Sequence, residues 1–334
     1  MKTVVKLIAF FAIFVVSANE VNVYSHRHYE TDKKLFAAFE KETGIRVNVV
    51  KAKAGELIKR LELEGKNTNC DLFITADAGR IYRAKSKSLL QAVESKILDT
   101  VIPPHLKDKQ NHWFGLTVRA RVIVYVKGKV KAKDLSSYEA LTDKKWKKKI
   151  LIRKSDNIYN QSLLASIIAH SGEKAAREWA AGIVENMARK PKGNDRDQMK
   201  AIVAGQGSIA IVNTYYLGLL LNSPVKAEVA VGKKLAVFFP NQAGRGTHIN
   251  ISAAGVTKHA KNKANAVKLL EFLVNKESQK LYSEANYEYP VRTDVAPSAL
   301  LKGWGDFKKD TMNLEKLGAN NVDAVKIFGI VGWR

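Results

Sequence analysis

Two adjacent tyrosines, Tyr215 and Tyr216, follow a short apolar run in the second half of the sequence. The run Ser208–Val212 predicts a buried strand, and Asn213 and Thr214 are candidate N-caps of the helix that follows. Neighbouring residues at such a turn are only about 100° apart, so both phenols can face one cleft. Two phenol oxygens directed at one point predict a site for a hard metal ion.

His28 and Tyr29 occupy a similar position near the start of the sequence. Val21–Ser25 predicts a strand, and the helix that follows is predicted to have Thr31 as its N-cap and to end at Gly44. The imidazole and the phenol therefore lie in the predicted loop between the strand and the helix.

Tyr159 is a third donor of this kind. It follows the apolar run Lys149–Ile152, and Ser155 and Asn157 are candidate caps of the helix that it opens. Ligands of open α/β sheets bind beyond the carboxyl ends of the strands. The sequence therefore predicts one site built from three junctions that carry tyrosines.

The start of the sequence has the pattern of a secretory signal peptide. Lys2 and Lys6 form a basic region, Leu7–Val16 is apolar, and cleavage after Ala18 would leave Asn19 as the first residue. The apolar stretch is too short for a membrane-spanning helix. We therefore expect an exported, soluble protein.

Strand-like and helix-like segments alternate along the chain, which predicts an α/β fold with largely parallel sheets. Further predicted strands are Arg46–Lys51, Cys70–Thr75, Val122–Val126 and Leu235–Phe239. The single cysteine, Cys70, excludes an internal disulfide and any site with several cysteine ligands. No nucleophile elbow, His-Glu-x-x-His or paired-acid motif is present, so we do not expect an enzyme.

The formal net charge is +24, to which Lys2 and Lys6 contribute two. Such a surface can bind nucleic acid nonspecifically, and the densest basic cluster is Lys144–Lys149. The sequence shows no helix-turn-helix pattern, zinc module or sheet with interleaved aromatic residues. We interpret the cluster as solvated lysines beside a strand and expect no nucleic-acid partner.

Six segments resemble those of periplasmic ferric-iron-binding proteins, the substrate-binding subunits of iron(III) ABC importers. They are Ser25–Asp32, Asp71–Arg80, Asn157–Ser162, Asn213–Gly218, Gly246–Lys258 and Glu288–Val291. The resemblance spans nearly the whole chain after the predicted signal. It is to the branch that uses several tyrosines without a required synergistic anion.

The resemblance implies a set of metal ligands, which are Tyr29, Tyr159, Tyr215, Tyr216 and, in some members of the family, His28. Arg119 matches a family arginine close to the metal. Leu219 is a departure, because some relatives carry an arginine at that position.

The fold that the resemblance implies is a two-lobed periplasmic binding protein of type II, in which each lobe is a sheet flanked by helices. Lobe one would comprise residues 19–118 and 250–292, and lobe two residues 119–249 and 293–334. Two crossover strands, near Thr117–Val124 and Gly246–Ala254, would form the hinge. Metal binding would then close the lobes, since ligands from both walls must converge.

The implied function is to bind iron(III) as a transported ligand and to deliver it to an ABC permease in the inner membrane. We expect the protein to act as a monomer in the periplasm. Two alternatives stay open within the same fold, a receptor for iron(II) and a receptor for an anion such as phosphate or sulfonate. An anion receptor would show loops rich in serine and threonine where this sequence has phenols.

Overall fold

The computed structural model describes residues 19–27 and 29–334. The strands are β1 (Glu20–Ser25), β2 (Arg46–Lys51), β3 (Leu72–Ala76), β4 (Phe114–Val126), β5 (Ile150–Leu151), β6 (Ile209–Asn213), β7 (Leu235–Phe238), β8 (Ile249–Val256) and β9 (Tyr289–Pro290). The α-helices are α1 (Glu30–Thr43), α2 (Ala54–Glu64), α3 (Ala78–Ser86), α4 (Lys96–Val101), α5 (Ile158–Asn186), α6 (Asp195–Val203), α7 (Thr214–Leu221), α8 (Lys226–Lys233), α9 (Lys263–Leu273), α10 (Lys276–Ala285), α11 (Ala299–Lys302), α12 (Glu315–Ala319) and α13 (Asn321–Ile330). The predicted signal peptide, its cleavage near Ala18, and His28 lie outside the described residues.

The long strand β4 belongs to two sheets. The strands follow the order β2-β1-β3-β8-β4-β6-β5, and β7 and β9 also pair with β4. Residues 114–120 of β4 pair with β8, and residues 121–125 pair with β6. We call the part with β1, β2, β3, β8 and β9 the first sheet and the part with β5, β6 and β7 the second sheet. This arrangement, with helices on the sheets, confirms the predicted two-lobed α/β fold.

The prediction of largely parallel sheets is wrong. Only β1 with β2, β1 with β3, and β5 with β6 are parallel pairs among the described strands. The other pairs involve β4 or β8 and are antiparallel. The physical reason is that β4 and β8 run in opposite directions through the middle of the molecule, between the parallel units at each end.

The strands at the centre of the molecule are buried on both faces. Every residue of β3 and β8 is buried, and in β4 only Tyr125 is partly exposed. The sequence of a strand that is covered on both faces is a nearly continuous run of apolar residues. Arg119 and Arg121 interrupt that run in β4, and buried charges of this kind require partners.

Helix α1 begins two residues earlier than a cap at Thr31 would require. Tyr29 occupies the N-cap position in an extended conformation, and Thr31 lies inside the first turn. At the other end, Gly44 has a φ of 69° and its N–H donates to the carbonyl of Glu40, which confirms the predicted helix end.

Helix α7 begins directly after β6 with Asn213 at the N-cap position, as predicted, but the Asn213 side chain makes no capping hydrogen bond and Thr214 is the first helical residue. The side-chain oxygen of Asn213 accepts a hydrogen bond from Arg121 at 3.2 Å. The hydroxyl of Thr214 accepts one from the N–H of Ala120 at 3.3 Å. Both side chains therefore bind β4, and the tyrosine pair lies in the first turn of α7.

The predicted crossover segments, residues 117–124 and 246–254, overlap β4 and β8. The boundaries between the lobes stay a prediction. Within residues 19–27 and 29–334, no helix has the length and apolar character needed to cross a membrane.

Candidate metal centre

Tyr159 is held in the first turn of α5 by the loop that precedes it. The side-chain oxygen of Asn157 accepts a hydrogen bond from the N–H of Tyr159 at 3.2 Å, so Asn157 is the N-cap, as predicted. The side chain of Asn160 donates to the carbonyl of Arg153 at 2.8 Å and accepts from Arg121 at 2.7 Å. These bonds tie the start of α5 to β4 and to the loop after β5.

Four tyrosines from three helix starts meet at one place. The hydroxyl of Tyr215 donates a hydrogen bond to the hydroxyl of Tyr159 at 3.2 Å. The ring of Tyr215 lies edge-on to the ring of Tyr29, with 6.4 Å between centroids. The rings of Tyr215 and Tyr216 are 4.2 Å apart. The structure therefore brings all four predicted tyrosines together, and their role as metal ligands stays a prediction.

A cleft of about 210 Å³ opens beside these phenols. Its wall consists of His26, Arg27, Tyr29, Ala76, Arg80, Arg153, Asn157, Tyr159 and Tyr216. Tyr215 is only 1% exposed and lies behind this wall. In the part of the chain that the structure describes, no three His, Cys, Asp or Glu side chains lie close enough together to hold a metal ion.

The surroundings keep the phenols of Tyr29, Tyr215 and Tyr216 protonated at neutral pH. Burial raises the pKa of Tyr29, Tyr215 and Tyr216 above the ordinary value of 10, and the neighbouring Tyr159 raises it further. Arg119 lowers the pKa of Tyr215, but by less than burial raises it. A cation that binds these oxygens must therefore displace their protons.

A buried arginine, Arg27, lies against the ring of Tyr29. Its guanidinium is 4.8 Å from the ring centroid, within the range of a cation–π contact. The same group pairs with the carboxylates of Asp32 and Glu288, each at 3.1 Å. Arg27 is 2% exposed, so these two carboxylates compensate its charge without water.

Arg119 extends this network to the second pair of phenols. Its guanidinium pairs with the other oxygen of Glu288 and also donates to the carbonyl of Ile251 at 3.0 Å. The guanidinium lies 5.6 Å from the ring centroid of Tyr215. The structure thus places Arg119 beside a predicted ligand, and Glu288 joins it to Arg27.

Glu288 stays ionised although it is completely buried. Burial alone would raise its pKa, but the adjacent Arg27 and Arg119 lower the pKa to about 2. A carboxyl in the unfolded chain titrates near 4.3. The ion pairs of Glu288 therefore contribute their full stability above that pH, and this stability is lost as the pH falls toward 2.

We expect Glu288→Gln to lower the free energy of unfolding by about 3–5 kcal/mol, because it removes the carboxylate between two buried guanidinium groups. Urea unfolding at neutral pH measures the change. Glu284→Gln, on the exposed face of α10, is the matched control and should change the free energy of unfolding by less than about 0.5 kcal/mol. Equal values for the two variants would contradict this role of Glu288.

A second charge network lies on the other side of the cleft. Asp195 accepts from Arg121 at 2.6 Å and from Arg153 at 2.9 Å. The guanidinium groups of Arg121 and Arg153 lie 6.0 and 5.8 Å from the ring centroid of Tyr159. Tyr29, Tyr159 and Tyr215 therefore each have at least one guanidinium against the ring.

Sequence reasoning identified the tyrosines and Arg119 but missed the other members of the two networks. These are Arg27, Asp32, Glu288, Arg121, Arg153 and Asp195, and His26 and Arg80 of the cleft wall were missed as well. One signal was available, because Arg119 and Arg121 are two residues apart in an apolar strand and so point to the same face. Asp195 carries no local signal, since it lies far from every tyrosine in sequence.

Three comparisons with known proteins agree with one another. Residues 34–309 match the family described as bacterial extracellular solute-binding protein. The chain is 47% identical over 315 residues to iron uptake protein A1 of Synechocystis, covering 94% of this chain and 88% of the relative. It is 27% identical over 316 residues to the major ferric iron-binding protein of Neisseria meningitidis, covering 92% of this chain and 88% of the relative.

Solved structures resemble the whole described fold. A Trichodesmium protein, IdiA or FutA, in complex with iron and citrate superimposes with a TM-score of 0.92 at 48% identity, covering 94% of this chain and all of that one. A ferric binding protein from Campylobacter jejuni gives a TM-score of 0.89 at 47% identity with the same coverage.

Proposed function

Because the chain belongs to the bacterial extracellular solute-binding protein family, we propose that it binds iron(III) in the cleft and delivers it to an ABC permease in the inner membrane. The observation that carries this proposal is the convergence of Tyr29, Tyr159, Tyr215 and Tyr216 on one cleft. Similar proteins named for iron uptake and ferric iron binding support the same cargo. The protein would act as a monomer in the periplasm.

Phenolate oxygens suit the charge and hardness of iron(III). A hard cation prefers anionic oxygen ligands, and a bound cation can displace the phenol proton at neutral pH. Tyr159 and the tyrosine pair lie in the first turns of α5 and α7, where the helix dipole favours a negative charge by about 0.3–1 kcal/mol each. His28 would be a further ligand or be replaced by water.

Four phenolates carry one negative charge more than iron(III) neutralises. Arg27 and Arg119 are already paired with Asp32 and Glu288, but Asp195 neutralises only one of the two guanidinium groups of Arg121 and Arg153. These two groups lie against the ring of Tyr159, so the second network is positioned to offset that surplus. Reduction to iron(II) would leave a second surplus negative charge, so the reduced complex would be less stable. This charge difference would favour release of the metal after reduction.

Ligands from both sheets would hold the cleft closed. Tyr29 precedes α1 beside the first sheet, and the other three tyrosines begin helices beside the second sheet. Asp77 already joins the two sides, because it accepts hydrogen bonds from Ser162 of α5 and Asn250 of β8, each at 2.8 Å. Lobes of residues 19–118 with 250–292 and 119–249 with 293–334 would then open around β4 and β8.

A second candidate is a receptor for an anion, bound alone or together with a metal. Arg80 and Arg153 both line the cleft, and the similar Trichodesmium protein was solved with iron and citrate. The described part of the cleft wall contains no serine or threonine, which does not favour a receptor built for phosphate or sulfonate alone.

Visible absorption distinguishes these candidates. We expect the protein with one equivalent of iron(III) to be coloured, because phenolate-to-iron charge transfer absorbs visible light. Reduction of the sample should bleach the band, and iron(II) added without air should not produce it. A colourless stoichiometric iron(III) complex would contradict phenolate ligation, and binding of phosphate without iron would favour the anion receptor.

A further inference from the structure

Lysines from three separate segments lie together at one edge of the second sheet, where its strands end away from the tyrosines. In the pairing of β4 with β6, Arg121 lies opposite Asn213 at the tyrosine end, and Tyr125 lies opposite Ile209 at the other end. Segments that follow β4 and precede β5 and β7 therefore meet at the edge away from the tyrosines. The N–H of Lys127 donates to the carbonyl of Lys234 at 2.9 Å and so joins two of these segments.

We call this edge the basic face. It carries eleven exposed lysines, which are Lys127, Lys129, Lys131, Lys133, Lys144, Lys145, Lys147, Lys148, Lys149, Lys233 and Lys234. Only Asp134, Glu139 and Asp143 supply carboxylates within the same segments, and Glu139 pairs with Arg245. Within residues 19–27 and 29–334, none of the eleven lysines forms an ion pair.

The central turn of the basic face is held in place by its own core residue. Trp146 is 4% exposed and anchors the turn, and the N–H of Lys149 donates to the carbonyl of Trp146 at 2.9 Å and of Asn186 at 3.1 Å. Lys148 has a φ of 56°, in the left-handed region that L-residues seldom occupy. The lysines are therefore presented on an ordered turn.

An apolar groove of about 570 Å³ lies next to this turn, where Met187 pairs with Ile150 of β5. It is lined by Val184, Met187, Arg189, Lys190, Pro191, Gly332 and Arg334. Glu185 is an exposed carboxylate in the same part of α5. The groove thus combines apolar side chains with a basic rim, a combination that fits an amphiphile with an anionic head better than a wholly polar polyanion.

We propose that the basic face docks the protein on an anionic phospholipid bilayer. The lysines lie at the headgroup phosphates, and the groove takes apolar parts of the lipid. Each lysine near an anionic membrane adds to the attraction, and salt screens it. The tyrosines lie at the opposite end of the second sheet, so docking leaves the cleft accessible to iron.

Vesicle flotation of the full chain tests this proposal. The protein is expected to bind vesicles of phosphatidylglycerol and phosphatidylcholine at about 0.1 M salt and not vesicles of phosphatidylcholine alone. Replacing Lys144, Lys145, Lys147 and Lys148 together by glutamine should lower the partition coefficient by more than about tenfold.

A matched control replaces four exposed lysines elsewhere by glutamine, which are Lys41, Lys51, Lys66 and Lys96. It changes the net charge by the same amount and should lower partition by less than about twofold, since these lysines lie in or next to α1, β2, α2 and α4, outside the basic face. If both variants lost the same fraction of vesicle binding, the net charge of the protein would explain the effect, and the proposal would be overturned. Absence of vesicle binding by the unaltered protein would overturn it as well.

The groove variant Met187→Gln separates a lipid from a soluble polyanion. We expect it to weaken binding to phosphatidylglycerol vesicles and to leave binding to inorganic polyphosphate unchanged. The opposite outcome would be that Met187→Gln leaves vesicle binding unchanged while the lysine variant loses binding to polyphosphate and binding to vesicles equally. The partner would then be a soluble polyanion, and the lipid assignment would be wrong. An unchanged thermal unfolding temperature confirms that each variant is folded.

Discussion

Tyr215→Phe is expected to lower the affinity for iron(III) by more than about 100-fold, since changes that only touch a ligand's neighbours already cost 10–100-fold. The substitution keeps the buried ring and removes only the oxygen that bonds Tyr159. If Tyr215 is a ligand as proposed, the substitution deletes one ligand and one negative charge in a partly desolvated site. Tyr216→Phe should have an effect of the same order. Competition titration against citrate at neutral pH measures both.

Two further substitutions serve as a control and a comparison for the Tyr215→Phe result. Tyr289→Phe removes the hydroxyl of another buried tyrosine, one that forms no hydrogen bond within the described residues, and should leave iron affinity unchanged. His28→Ala should weaken binding far less than either phenol change, because water can replace a neutral imidazole. Equal losses for His28→Ala and Tyr215→Phe would make His28 a full ligand. An unchanged affinity in Tyr215→Phe would exclude the proposed ligand set.

Affinity for iron(III) is expected to fall with acid by about tenfold per pH unit for each phenol that must lose its proton, thus about a thousandfold per unit for three phenols. The sign follows from the raised pKa of Tyr29, Tyr215 and Tyr216, which keeps these groups protonated in the iron-free protein at neutral and acidic pH. Acid therefore adds no proton to these three phenols of the iron-free protein, but it opposes the deprotonation that iron binding requires.

Titrations at fixed free iron(III) between about pH 5 and pH 8 measure the slope, which counts the displaced protons. Mild acid together with a reductant should release iron faster than either alone, since both increase the cost of holding phenolates around the ion. An affinity independent of pH, or iron(II) bound as tightly as iron(III), would contradict the charge-matching mechanism.

Local pattern was sufficient to predict where the candidate ligands stand along the chain. Apolar runs next to Tyr29, Tyr159 and the tyrosine pair each mark a strand followed by a helix, and the structure has a strand and a helix at all three places. The Asn157 cap and the Gly44 helix end were also predictable, because both depend on backbone groups a few residues away. Asn213 stands at the predicted N-cap position, but it makes no capping hydrogen bond, because β4, distant in sequence, binds its side chain and that of Thr214.

Charge partners could not be predicted in this way. Arg27 and Glu288 are 261 residues apart, and Arg121 and Asp195 are 74 apart, so only the tertiary fold brings the members of each pair together. From the sequence, the lysines next to Trp146 were interpreted as solvated residues beside a strand. The register of the sheet shows in addition that Lys127 and Lys234 lie on the same face. The sequence by itself thus determined the donor types, the junctions that carry them and the family resemblance, all properties of short segments. The tertiary structure decided that three of the phenols line one cleft with Tyr215 directly behind them, and which guanidinium groups lie against the rings of Tyr29, Tyr159 and Tyr215, because long-range strand pairing and burial set those distances.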